Sequence, residues 1–285
     1  MKYSSSSIQT VLALTLAFTA QVNLSAQDHG HLNAGAGSTV QNSPLLWTNG
    51  ADFITDSFYV KTLIYTNAGK YAGYFHGNIT PTALPTTAAH AGPDPLASAP
   101  GSFLRLKLSC LEAPAGGTLG YWENGATAPT LSLNAGQTGT NLFPLSQSTG
   151  APGLDPYGHI HGRRFTATKA GLYKIGFQAF DTCTNGVEGG PIHTPSEVLP
   201  VWFQAGVNIE SVEPDEEEGH VHVRFGAQAG FDWQLEYRNE LSPSAPWLPA
   251  GNPVTGADYF VEKIHELPPG EHRFYRVKGT LTPQE

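Results

Sequence analysis

Residues 153–179 read GLDPYGHIHGRRFTATKAGLYKIGFQA, and the reading of this stretch decides the rest of the chain. His159 and His161 are one residue apart, so on a β-strand both imidazoles leave the same face while Ile160 leaves the other. The sequence then runs through Gly162–Thr168 to a Lys169-Ala170-Gly171 turn, where glycine can take positive φ. A second strand is predicted through Tyr173, Ile175, Phe177 and Ala179, whose alternation gives it one apolar face. The pattern predicts a hairpin that carries a two-imidazole clamp. Two neutral imidazoles on rigid β structure form half of a site for zinc, copper or iron, and further ligands must come from elsewhere.

Composition agrees with strands. There are 32 Gly and 22 Pro beside 40% hydrophobic residues, and helix-periodic segments are almost lacking, so the expected class is all-β: two β-sandwich domains, the first larger. Only 14% of residues are charged, against about 25% in an average soluble domain, and the formal net charge is −9. Such a balance argues against nucleic acid as a partner. At the start, Lys2, a serine run and the apolar stretch Val11–Ala20 lead to Leu24-Ser25-Ala26. This is too short to span a bilayer and suits a cleaved signal peptide over residues 1–26. The last residues, Leu281–Glu285, carry no apolar tail, so the mature chain is expected to be periplasmic or secreted, without a membrane span.

The two cysteines, Cys110 and Cys183, fall on apolar faces. Cys110 continues the alternation of Leu104, Leu106 and Leu108, and Cys183 that of Tyr173 to Ala179. In an oxidising compartment this predicts a disulfide worth ~4 kcal/mol by loop closure. The alternative is two buried free thiols.

Elsewhere the histidines follow the strands unevenly. His29-Gly30-His31 repeats the His-x-His spacing in a polar, glycine-rich arm that could fold back on the clamp, with Asp28 as an added oxygen donor. A hairpin is predicted from Ser57–Tyr65 and Lys70–Ile79, with His76 on its second strand. Thr80–Pro100, crowded with Pro, Ala and Thr, reads as a long surface loop carrying His90 and Asp94. Phe103–Glu112 is the cleanest alternating strand. Thr118–Glu123 follows, with Tyr121 and Trp122 as packing residues or, if exposed, a sugar platform. His193 lies in a loop at Asp181–Pro195, before a strand at Glu197–Gln204.

A composition shift after Gly206 marks the second domain, residues 206–285, following a His-rich domain over 27–205. Five short strands are predicted there, and His220-Val221-His222 repeats the two-tooth spacing behind Glu216–Glu218. Val221, Val223 and Phe225 are expected to point inward, with His220, His222 and Arg224 outward, and the nearby Arg224 argues against a metal at that pair.

Common enzyme signatures fail: there is no Gly-x-Ser-x-Gly elbow, no phosphate loop and no helical His-Glu-x-x-His, since His265-Glu266 runs into Leu267-Pro268-Pro269. Gly153 and His159-x-His161 resemble the start of a cupin metal motif, but Phe165 and Thr166 stand where its Glu belongs. A wider resemblance runs from GGTLGYWENG through DPYGHIHGRRFTATKAGLYKIGFQA. It is similar to the bacterial exported surface-anchored domain family with a Gly-His-x-His…Gly-x-Tyr pattern, and to related exported proteins repressed by the zinc-uptake regulator. That resemblance implies an exported β-sandwich tied to zinc acquisition, with His159 and His161 in the motif. The tail, with WQLEYRNELSPSAPW and HRFYRV, resembles fibronectin-like C-terminal modules.

The expectation is therefore an exported transition-metal protein that scavenges, stores or delivers its ion, working with a metal-uptake system or a cell-surface component. Zinc is preferred to copper or iron, because methionine, a soft copper ligand, occurs only at position 1. The expected metal ligands are His159 and His161, then His193, His29 and His31, with His76 and His90 as outsiders. The competing readings are a non-catalytic adhesion or carbohydrate-binding protein that uses Tyr121 and Trp122, and a cupin-like metal enzyme.

Overall fold

The computed structural model describes residues 30–281, except 58, 88–92, 208, 216–217, 228–230, 243, 258 and 269. The expected signal peptide, Asp28, His29, His90, Glu216 and Glu217 lie outside the described residues. The fold is all-β, and among the described residues no helix is long and apolar enough to cross a membrane.

Among the described residues, fourteen strands precede Gly206: β1 (His31–Ala36), β2 (Leu45–Trp47), β3 (Lys61–Thr66), β4 (Tyr74–Gly77), β5 (Thr80–Ala83), β6 (Leu104–Glu112), β7 (Thr118–Trp122), β8 (Leu131–Asn134), β9 (Gln137–Thr138), β10 (Phe143–Pro144), β11 (Gly158–His159), β12 (Arg164–Ala167), β13 (Gly171–Asp181) and β14 (Leu199–Ala205). They form a ten-stranded sheet, ordered β10-β6-β13-β14-β3-β4-β12-β7-β8 with β9 beside β6, and a four-stranded sheet, ordered β11-β5-β1-β2. One hydrophobic core joins them. Its centre is the aromatic set Tyr121, Phe165, Phe177 and Phe203, with Phe165 5.0 Å from both Tyr121 and Phe203 between ring centroids. Such tilted contacts add to the area that the rings bury. Trp47 of the small sheet packs edge-on to Phe177 and donates its indole N–H to the Phe177 carbonyl at 3.0 Å, which ties the two sheets together.

β13 is the spine of the large sheet. Its alternation buries Tyr173, Ile175, Phe177 and Ala179, and it is paired on both sides, with β6 and with β14. The predicted hairpin between the His-x-His segment and this strand does not form. β11 joins the small sheet, β12 pairs with β4 and β7, and three strands separate β12 from β13 in the sheet order. β13 is a central strand, and its neighbours are β14, the next strand along the chain, and β6, from much earlier in it.

The expected Cys110–Cys183 disulfide is also corrected, since both thiols are free and buried. Cys110 lies opposite Ile175 in the antiparallel register, and Cys183 is eight positions further along the same chain. At ~3.4 Å per residue this separates them by roughly 25 Å, far beyond the ~7 Å limit for a bridge. Matching face parity said nothing about position along the strand. The Cys183 thiol donates instead to Asp181 Oδ2 at 3.3 Å, and burial pushes the Cys110 thiol up to about 11.

Tyr121 and Trp122 are 1% and 2% exposed, so they are packing residues and offer no surface to a glycan. Thr80–Ala83, expected within a loop, is the second strand of a parallel pair with β1. Pro81 is tolerated in it because the amides of Thr80 and Leu84, of the opposite parity, make the bonds to Gly30 and Ala34 on the β1 side. β11 covers only Thr82 and Ala83 on the other edge, so no ladder bond is asked of position 81.

After Gly206 a separate core holds Val221, Val223, Phe225, Trp233 and Leu235. It lies between a three-stranded sheet, β15 (Ile209–Asp215), β16 (His220–Ala227) and β20 (Tyr259–Glu266), and a four-stranded one, β17 (Phe231–Arg238), β18 (Leu248–Pro249), β19 (Val254–Thr255) and β21 (Phe274–Leu281). Alternation along β16 sends His220, His222 and Arg224 outward, where they meet Glu218 at 3.6 Å, Glu262 at 2.5 Å and Glu210 at 2.8 Å.

Candidate metal site

The small sheet brings three of the expected ligands together. β5 lies between β1 and β11, with His31 opposite Thr80 and His159 opposite Thr82. The rings of His31 and His159 stand edge to face at 4.9 Å, and those of His159 and His161 at 4.4 Å. These residues come from β1, β11 and the turn that follows β11, so 128 residues of chain close on one spot. That count is the difference between positions 159 and 31.

The backbone around the pair is fixed by two glycines and two polar anchors. Gly158 and Gly162 take φ values of 131° and 79°, which side-chain-bearing residues rarely adopt, and a Cβ on Gly162 would stand 2.6 Å from Asn124 Oδ1. His161 therefore sits in a tight turn and does not continue the strand. Upstream, Asp155 accepts hydrogen bonds from the amides of Thr86 and Tyr157, both at 3.0 Å, and from the Thr87 hydroxyl at 2.8 Å. Burial raises its pKa, but these bonds outweigh burial and hold the carboxyl below its ordinary value. Downstream, Arg163 is 3% exposed. Its Nε and Nη2 donate to the two oxygens of Glu123 at 3.0 and 2.9 Å, and Nη1 donates to the Pro144 carbonyl at 2.7 Å. This bidentate pair clamps the chain two residues past His161.

Protons can be assigned from the bonding. Thr82 Oγ1 lies 3.3 Å from the Thr80 carbonyl, to which only the hydroxyl can donate, so its 3.0 Å contact with His31 Nδ1 is best met by Nδ1–H. His31 then presents Nε2 as its lone-pair atom. Between His159 and His161 the two Nε2 atoms are 3.0 Å apart. In a neutral pair one of them carries a proton, and the contact is an N–H···N bond. Two imidazoles on a tetrahedral zinc would be about 3.3 Å apart, given Zn–N distances of about 2.0–2.1 Å, so loss of that proton would suit the same two atoms to a metal. Among the described residues, no group of three or more His, Cys, Asp or Glu side chains is placed to hold a metal ion. The described geometry therefore presents a two-nitrogen pair with a third ring beside it.

His193 does not join them. It is 1% exposed, its Nε2 accepts the Ala99 amide at 2.9 Å, and its Nδ1 donates to the Ser43 carbonyl at 3.0 Å. Both nitrogens are committed to backbone, so this histidine secures loops and cannot ligate without unfolding them. His76 lies nearer, in a cleft that also borders His161. Burial, and then the charge of Arg164, lower its pKa. Sequence reasoning missed Thr82, Asp155 and Arg163. Asp-Pro at 155–156 was the available signal for the first anchor, whereas nothing in sequence pairs Arg163 with Glu123 across forty residues.

No family model matches this chain, and no curated protein or solved structure matches it.

Proposed function

We propose that the protein binds a transition metal ion, zinc by preference, at the imidazole cluster of His31, His159 and His161, and serves as an exported protein that scavenges, stores or delivers it. One observation carries this reading. His31, far away in sequence, meets the His159–His161 pair at one end of the small sheet, and the two Nε2 atoms of that pair are 3.0 Å apart. An all-imidazole donor set suits zinc, copper and iron alike, and the absence of a thioether donor beyond position 1 favours zinc. His29, another expected ligand, lies outside the described residues. The ion is cargo in this reading, and no reaction is assigned to it.

The test is metal content by mass spectrometry, with zinc titration by calorimetry, on untagged mature protein beside His159→Ala/His161→Ala. About one zinc per chain in the wild type, and none in the folded double variant, is the expected result. Because the ligands must be neutral, zinc affinity should fall as pH drops through about 6.5. No zinc after reconstitution, or equal loading of the double variant, would sink the reading. His222→Ala, in the second core, should change nothing.

A further inference from the structure

His161 also borders an open cleft of about 450 Å³, within the size range of small-molecule sites. Its wall is the outer face of the ten-stranded sheet. Register pairs Ile64 with His76 and His76 with Thr166, so alternation puts Thr62, His76, Asn78 and Arg164 on one face, opposite the buried Leu63 and Phe165. Gly77, of the other parity, faces the buried side: a Cβ there would stand 2.9 Å from Leu63 Cδ2 and 3.1 Å from the Thr62 carbonyl, so the glycine lets the strand pack closely beneath the cleft. Two full cations, Lys61 and Arg164, line this space together with His76 and His161, and among the described residues no carboxylate does.

The lining also holds polar atoms that lack a partner among the described residues. Thr62 is 3% exposed, and its hydroxyl oxygen makes no hydrogen bond. Neither do His76 Nδ1 and Asn78 Oδ1. Asn78 Nδ2 donates to Thr80 Oγ1 at 2.9 Å, and because that hydroxyl can equally donate, the flipped amide would turn Nδ2 toward the unpaired position. The Arg164 guanidinium, the buried Thr62 hydroxyl and the Asn78 amide then line one space. Buried polar groups are costly to leave unmatched, and the atoms that match this set are the oxygens of an anion. Arg164 and Lys61 disfavour a metal cation within the cleft, which borders the imidazole cluster at His161.

We propose that the cleft lined by Lys61, Thr62, His76, Asn78, His161 and Arg164 binds a small molecule through an oxyanion, a phosphate or carboxylate group. The proposal does not rest on metal binding. The test is an NMR titration of the full mature chain, stripped of metal on a chelating resin, with inorganic phosphate, succinate and chloride at constant ionic strength. Saturable shifts of the Thr62, Gly77 and Asn78 amides with phosphate or succinate, and none with chloride, are expected. Tighter phosphate assigns the ligand's phosphate group, and tighter succinate its carboxylate. Arg164→Gln should weaken binding about tenfold or more, Thr62→Val severalfold, and His222→Ala, in the second core, not at all. Shifts that do not saturate or that match those of chloride would overturn the proposal. So would unchanged affinity in both Arg164→Gln and Thr62→Val, two variants that perturb the fold in different ways.

Discussion

Replacing Glu123 by Gln tests whether the Arg163 clamp organises the site. The substitution keeps shape and removes the charge that meets a guanidinium 3% exposed. Arg163 would retain its bond to the Pro144 carbonyl at 2.7 Å and one weakened contact to the amide. Breaking a buried pair costs ~3–5 kcal/mol, but Glu123 is 27% exposed, so part of the lost charge is already screened, and ~2–3 kcal/mol is the expected destabilisation. For a unit of this size each kcal/mol moves the midpoint by ~2–4 °C, so thermal unfolding followed by near-UV circular dichroism should fall by ~4–12 °C. The double variant Glu123→Gln/Arg163→Met should recover much of that loss, since an apolar side chain of similar length leaves no charge to satisfy. His161, two residues away, should broaden in NMR spectra of the single variant. A loss below ~0.5 kcal/mol, or a double variant less stable than the sum of the singles, would refute the argument that the clamp is a desolvated pair.

Further outcomes follow from the same structure. His193→Ala should cost ~2–5 kcal/mol, because it leaves the Ala99 amide and the Ser43 carbonyl without their ring partners; urea unfolding measures it, and a near-neutral effect would return His193 to the set of available ligands. Denatured protein should titrate two thiols without reductant, while native protein reacts slowly, since burial holds both thiol pKa values above the ordinary value; a single mixed or blocked thiol would contradict the free state. His76 and His222 should titrate on opposite sides of 6.5 by NMR. His76 is lowered by burial and then by Arg164, so stability is lost as pH falls below about 6.5 toward its folded value. His222 is raised chiefly by its hydrogen bond to Glu262, so its contribution is present below about 6.5 and lost as pH rises through its folded value. Equal midpoints would show that neither neighbour acts.

The class of the fold was legible because alternation is a local property. Leu104, Leu106, Leu108 and Cys110, or Val221, Val223 and Phe225, show their inward face without knowledge of a partner strand. Partner choice was not legible, and each error has that origin. His159 and Ile175 look like two arms of one hairpin from residue spacing, yet β13 pairs with β6 and β14, and β11 joins the other sheet. The cysteines share a face but not a position along it. Thr80–Ala83 looked like loop because Pro81 and the small residues around it hide a strand whose amide bonds to β1 fall at the other parity.

For the site, the same distinction separates what spacing can and cannot say. His-x-His spacing at 159 and 161 suggested two imidazoles side by side, and they are, but through a glycine turn at Gly162 and not through strand alternation. His29-Gly30-His31 had the same spacing as His220-Val221-His222, and only tertiary pairing tells them apart. β1 runs parallel to β5 and so delivers His31 to His159, whereas β16 lies between β15 and β20, whose Glu213, Asp215 and Glu266 stand opposite its two histidines. The hydrogen bond to Glu262 raises the His222 pKa, whereas His159 lies against the rings of His31 and His161. What makes one His-x-His a candidate ligand pair and the other a surface ion pair is therefore the neighbouring strand, which no local pattern encodes.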